Sequence, residues 1–201
     1  MEKPGLFIIP ENVPAKFYIQ HLYPYYIVKK VALSETILDV GFGDGYGAFY
    51  LAENAKRVIG VDCEEDNVKI AQNKYKAGNL TFKYSDAANL DLPSDSFDIV
   101  CSFQVIEHIR EDLLLKFLKE VFRVLKPAGT FFVSTLNREI SMKPGQPYKK
   151  NPYHEKEFNS AELMNLLRNV FTEVEVYGLN LTMKHRFFQR LKKIGIFNVF
   201  P

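Results

Sequence analysis

The apolar run Thr36-Ile37-Leu38-Asp39-Val40 breaks abruptly into four glycines spaced two apart, Gly41, Gly43, Gly45 and Gly47. That pattern commits the chain to a strand entering a tight loop. Glycine tolerates positive φ and lets a ligand approach the backbone, and a helix over 46–52 would aim its first amides into the same space. An adenosine-sized ligand is expected there. A glycine loop alone is also compatible with a bare turn, so its surroundings decide. A second apolar run over 56–62 ends in Asp62, about twenty residues after Gly41, where the next parallel strand of a βαβ unit offers a carboxylate to ribose hydroxyls.

Two cofactor classes share this geometry. The nicotinamide pattern GxGxxG fails when counted from Gly41, because Tyr46 stands in the third glycine position, and counted from Gly43 it must accept Ala48. Asp39, two residues before Gly41, completes Asp-x-Gly-x-Gly-x-Gly. This resembles the first motif of the class I S-adenosylmethionine (SAM)-dependent methyltransferases. Asp62, Asp86, the string from Phe97-Asp98-Ile99-Val100 to Glu107-His108, and Lys126-Pro127-Ala128-Gly129 extend the resemblance over residues 36–177. The family usually has LKPGG at the last of these, and Ala128 departs from it.

The resemblance implies an α/β fold, a doubly wound, mostly parallel seven-stranded sheet with an N-terminal helical appendage. It implies one domain with a helical cap over 1–34, a core over 36–177 and a lid over 138–158. SAM is the implied cofactor, with contacts from Asp39, Gly41, Gly43, Gly45, Asp62, Cys63, Asp86, Ala87, Ser102 and Phe103. In the family, an acid at the place of Asp86 accepts a hydrogen bond from the adenine amino group; the alternative is the cap of a short turn through Leu90. Ser102, Phe103 and Gln104 are expected to flank the methionine part of SAM.

Composition narrows the function classes. The chain has 201 residues, 47% of them hydrophobic, which suits one globular domain with a substantial core. A net charge of +2 gives no broad electrostatic reason to expect nucleic acid. The charge is uneven, since no acid follows Glu175 while Lys184, Arg186, Arg190, Lys192 and Lys193 do. That tail reads either as a solvated helix face or as a surface for an anionic partner. Cys63 and Cys101 lack CxxC spacing, so neither a disulfide frame nor a zinc site is expected. No apolar run nears the roughly 18 residues of a membrane span, and a cytoplasmic location is expected.

Along the chain, a helix is expected from Pro14 towards Leu33, kinked or broken at Pro24. Its aromatic stripe reads as packing; because such an appendage covers the substrate side in the resembled family, Tyr18, His21 and Tyr25 are also candidates for substrate contact. Helices over 64–76 and 111–125 and a strand over 80–84 follow from apolar spacing. A tight reversal at 126–129 should lead into a strand over 130–135, and alternation predicts a sixth strand over 171–177. Beyond it, either a helix over 180–194 with a strand over 196–200, or an antiparallel strand over 179–184, fits the pattern.

The acceptor side is read from the loop over 141–152, rich in Pro, Gly and Lys and long for a plain connection. It ends in Asn151-Pro152-Tyr153-His154-Glu155-Lys156-Glu157-Phe158, which resembles an NP(Y/F)HxxEF segment of SAM methyltransferases in small-molecule or glycan biosynthesis. Gln104, His108, Tyr148 and Tyr153 join Tyr18 and His21 as substrate-binding candidates. His154 is the candidate base or substrate orienter, with a loop-fixing hydrogen bond as the alternative. Glu107-His108 resembles the end of an ExxEH sequence that holds a metal in some RNA 2'-hydroxyl methyltransferases. With Gln104 at the first position and no second histidine pair following, no metal is expected, and Glu107 and His108 are read as orienting the next loop. The expected acceptor is a small or medium anionic or hydroxylated metabolite, a glycan or lipid-linked precursor included, with Lys143, Lys149, Lys150 and Lys156 as a positive rim. A homodimer is compatible with this reading. A non-catalytic SAM-binding partner protein and an NAD-dependent oxidoreductase are the rival readings.

Overall fold

In the computed structural model, residues 9–141 and 148–178 are described. Lys143 and the segment from 179 onward, including the basic tail and both alternatives for the last strand, lie outside them. Five parallel strands form one sheet in the order β3-β2-β1-β4-β5: β1 (Thr36–Val40), β2 (Arg57–Asp62), β3 (Leu80–Tyr84), β4 (Phe97–Phe103) and β5 (Leu125–Ser134). The three inner strands are continuous apolar runs because both of their faces are covered. On the outer strand β3 only Phe82 is buried.

Helices cover both faces. Tyr25, Val28, Ala48, Leu51, Val68 and Ala71 of α1 (Ala15–Val31), α2 (Tyr46–Ala52) and α3 (Glu65–Lys74) pack on one face around Ile37, Val58 and Ile99. On the other face α4 (Leu114–Val124) buries Leu114, Phe117, Leu118, Val121 and Val124, the three- and four-residue spacing of one helix side. A four-residue helix, α5 (Arg138–Ser141), and α6 (Ser160–Leu167) follow, and α6 adds Leu167 to that second core. Asn159 and Glu162 close a reciprocal capping box at the start of α6.

Three expectations are corrected. Helix α1 is not broken into two at Pro24 but runs through it, with Tyr25 and Val28, at 5% and 0% exposure, packed in the core beside α2. The segment 126–129 is not a reversal ahead of β5 but an irregularity inside it: Phe97 pairs with Leu125, and the register resumes at Ile99 with Thr130. Ala128 there takes φ +65, the left-handed conformation that glycine would adopt freely. Residues 171–177 form no strand, and among the described residues the sheet has five strands. Phe171 and Val174 pack on the second core instead, with Phe171 stacked 5.6 Å from Phe131 and edge-on to Phe122, while Val176 and Tyr177 are exposed.

Candidate cofactor and acceptor site

The strand order reverses between β1 and β4, and the carboxyl ends of two such strands are where an open α/β sheet has its ligand crevice. The glycine loop lines it. Gly41, Gly43 and Gly45 have φ of +76, +59 and +98, so the loop needs the residue type that the sequence supplies. Gly41 is doubly constrained, since a Cβ there would stand 2.4 Å from the Val105 side chain in the turn after β4. The two walls of the crevice therefore touch at Gly41.

Asp62, at the end of β2, faces this loop and is 7% exposed. One carboxylate oxygen accepts from Gly43 N at 3.0 Å, the other from Glu64 N at 3.0 Å and Asn67 Nδ2 at 3.2 Å. It thus fixes the loop and the start of α3 together. Burial raises its pKa, and the donors pull it part of the way back. Asp39 is fully buried in the middle of β1, and burial pushes its carboxyl up to about 7 against the pull of the Tyr25 hydroxyl, 3.1 Å away. Tyr25 comes from α1, stands edge-on to Phe103 at 4.8 Å, and occupies the space a side chain at Gly47 would need, 2.1 Å from that Cβ. Tyr18 of the same helix lies edge-on to Tyr46, while His21 stacks on Phe17, and burial lowers the His21 pKa. The appendage is thereby pinned to the crevice.

Two expected contacts are bound within the chain. Ser102 is fully buried and donates to Val40 O at 3.2 Å, tying β4 to β1. Asp86 makes the alternative bond, accepting from Ala88 N at 2.8 Å at the head of the short turn. Cys63 is exposed and follows Asp62 directly, and Ala87 packs partly against the second core. Gln104 takes φ +58 and donates to Ser134 Oγ at 3.2 Å.

Sequence reasoning missed Asp44. It is 3% exposed and held by Lys74 at 3.0 Å and by the Tyr75 hydroxyl, and the same Lys74 reaches Glu11 at 3.0 Å. The link joins α3 and the glycine loop to the chain ahead of α1. Only its place inside the glycine run could have marked it.

On the acceptor side, a 3-10 turn over Ile106–His108 and the segment 151–158 dock on each other. The Glu107 carbonyl accepts from Glu155 N at 2.8 Å and Lys156 N at 3.2 Å. The carbonyl of Tyr153 accepts from His108 Nδ1 at 2.9 Å, and the rings of His108 and His154 stand edge-on at 4.9 Å. His154 is 7% exposed, with Nδ1 2.6 Å from Glu157 Oε1. Burial lowers its pKa, as do the nearby His108 and Lys150. Glu107 is 1% exposed, and burial pushes its carboxyl up to about 7. The Tyr148 hydroxyl is buried without a hydrogen bond among the described residues, whereas Tyr153 is half-exposed. The second histidine absent from the local sequence thus arrives from residue 154.

Comparison with known proteins agrees with this geometry. Residues 38–133 match a family model described as a methyltransferase domain. A protein of Mycolicibacterium smegmatis named a probable S-adenosylmethionine-dependent methyltransferase is 43% identical over 139 residues, covering 69% of this chain and 52% of that protein. A counterpart in Mycobacterium tuberculosis is 35% identical over 173 residues, covering 85% of this chain and 61% of the relative. The chain thus spans about half to three fifths of these relatives' length. A ubiquinone biosynthesis O-methyltransferase of Bartonella tribocorum is 35% identical over 104 residues, covering 51% of this chain and 41% of that protein. Among solved structures, a SAM-dependent methyltransferase from Aquifex aeolicus shares the fold with a TM-score of 0.63 at 22% identity, covering 82% of this chain and 88% of that one. With the glycine loop, its flanking acids and the parallel sheet in the expected places, the chain belongs to the class I SAM-dependent methyltransferase superfamily.

Proposed function

We propose that this chain transfers the methyl group of SAM to a hydroxyl of a small or medium metabolite. The observation that supports this reading is a glycine loop tied to Asp62 at the β1–β4 switch point, beside a turn after β4 whose His108 docks on the segment carrying Tyr153 and His154; in this reading Gln104, His108, Tyr148, Tyr153 and His154 face the acceptor. A sulfonium methyl is already activated, so holding oxygen, methyl and sulfur in line supplies most of the rate. Residues that position outweigh residues that react. In this reading Asp62 holds the ribose, Asp39 and the glycine loop hold the amino-acid end, and Asp86, Ala87 and Cys63 border the adenine. His154 acts as an orienter, since Glu157 fixes one ring nitrogen and the Asn151 side-chain nitrogen lies 3.2 Å from the other.

A hydroxylated acceptor is favoured over an anionic one. Lys156 pairs with Glu111 at 2.8 Å and Lys150 donates to the Glu155 carbonyl at 3.0 Å, so two of the rim lysines are engaged at home. The similarity to an O-methyltransferase supports oxygen as the nucleophile. The test is transfer of tritiated methyl from SAM into fractionated cell extract. Label in small, nuclease-resistant and protease-resistant products is expected. Label confined to nuclease-sensitive material, or SAM binding with no transfer into any fraction, would overturn the reading.

A further inference from the structure

Of the described residues, Glu107, His108 and His154 bring two imidazoles and a carboxylate together where the turn after β4 docks on the segment 151–158. One ligand-type atom from each lies within 4.8 Å of the others. Ligands about 2.1 Å from a shared cation sit roughly 3 to 4 Å apart, so a contraction of about 1 Å completes the set. Both histidines are oriented as metal ligands are. Each is fixed through Nδ1, His108 on the Tyr153 carbonyl and His154 on the Glu157 carboxylate, which leaves Nε2 as the lone-pair side. The Asn151 side-chain contact at 3.2 Å on His154 Nε2 is the one a cation would displace.

The burial of Glu107 adds to this. Glu107 is 1% exposed, and its carboxylate has only the Thr135 hydroxyl beside it as a side-chain donor, in a geometry too loose for a full hydrogen bond. A buried carboxylate oxygen with one loosely placed hydroxyl donor still gains from a cation.

We propose that Glu107, His108 and His154 form a site for one divalent transition-metal cation at the acceptor side of the cofactor crevice. Two imidazole nitrogens and one carboxylate favour zinc, manganese, cobalt or iron over magnesium, which demands oxygen ligands. Gln104 at the start of this turn is a neutral neighbour and is not required, because His154 supplies the third ligand. Three protein ligands leave a position open for water or an acceptor hydroxyl. The role in transfer rests on the proposed methylation. A hydroxyl in the open position has a lowered pKa, its proton passes to solvent, and the oxygen electron pair displaces the methyl from sulfur, which leaves as a neutral thioether.

The experiment titrates chelator-stripped protein with zinc by calorimetry and with cobalt by visible absorption, for the unmutated chain, His108→Ala and His154→Ala. SAM binding is measured on the same samples. One cation per chain is expected, with affinity lowered at least about tenfold in each variant and SAM affinity unchanged. No saturable cobalt spectrum in the unmutated chain, or equal zinc affinity in folded variants, overturns the site. If a variant fails to fold, the cobalt spectrum of the unmutated chain still decides, since ligand-field bands of low-symmetry nitrogen coordination are expected and an aquo spectrum refutes them. Cation binding without SAM binding would sink the methylation reading and leave the site standing; SAM binding without a cation would do the reverse.

Discussion

Asp39 couples the cofactor crevice to pH. Its carboxyl is raised to about 7 by burial, with Tyr25 from α1, Asp62 from β2 and Cys101 from β4 around it. An acid whose pKa is higher folded than unfolded holds its proton more tightly in the native state. Unliganded stability from this group therefore falls as pH rises from about 4 through about 7, by on the order of a few kcal/mol. Asp39→Asn should flatten that slope and raise the melting temperature at pH 8, read by thermal melts across pH. SAM, whose ammonium and sulfonium favour the ionised carboxylate, should bind more weakly as pH drops below about 7. Calorimetry in buffers of different ionisation enthalpy should then report a proton released on binding. At the same scale, Asp62→Ala should weaken SAM by roughly 1 to 3 kcal/mol, the cost of unpaired ribose hydroxyls, with some further loss because Gly43 N and Glu64 N lose their acceptor. Unchanged affinity in the folded variant would remove Asp62 from the site.

Two elements carry local conflicts that mutation can resolve or sharpen. Ala128 sits at φ +65 in the irregular stretch of β5, so Ala128→Gly should stabilise the fold by about 0.5 to 1 kcal/mol, seen as a higher urea midpoint with an unchanged slope. Its neighbour cannot be changed the other way: a Cβ on Gly129 would stand 2.9 Å from a backbone oxygen. Helix α1 is held at Gly47, and Gly47→Ala should push the Tyr25 ring out of its seat and expose α1 to limited proteolysis without removing the sheet. The inner strands and α2 were legible in the sequence because their apolar runs and glycine breaks are local signals. Residues 126–129 and 171–177 were not. Whether a Pro-Gly segment turns or bulges depends on the register of β4, and whether an alternating run joins a ladder depends on a neighbour far along the chain.

For the molecule as a whole, the sheet order puts the glycine loop, Asp62 and the turn after β4 at one end, where two walls meet at Gly41 and Val105. The residues proposed for the cofactor half could be picked out because they lie on consecutive strand ends. The acceptor half was readable only in pieces, since Glu107-His108 and His154 become neighbours through a long loop whose docking no spacing encodes. Among the described residues no helix is long and apolar enough to cross a membrane. The most direct test of the central claim, that this switch-point crevice holds SAM, is calorimetric titration of the chain with SAM, S-adenosylhomocysteine and NAD, repeated on Gly43→Val. Saturable binding of both adenosyl ligands, none of NAD, and loss of binding in a folded Gly43→Val protein are predicted. Binding of NAD in preference to SAM, or normal SAM binding by Gly43→Val, would contradict the account.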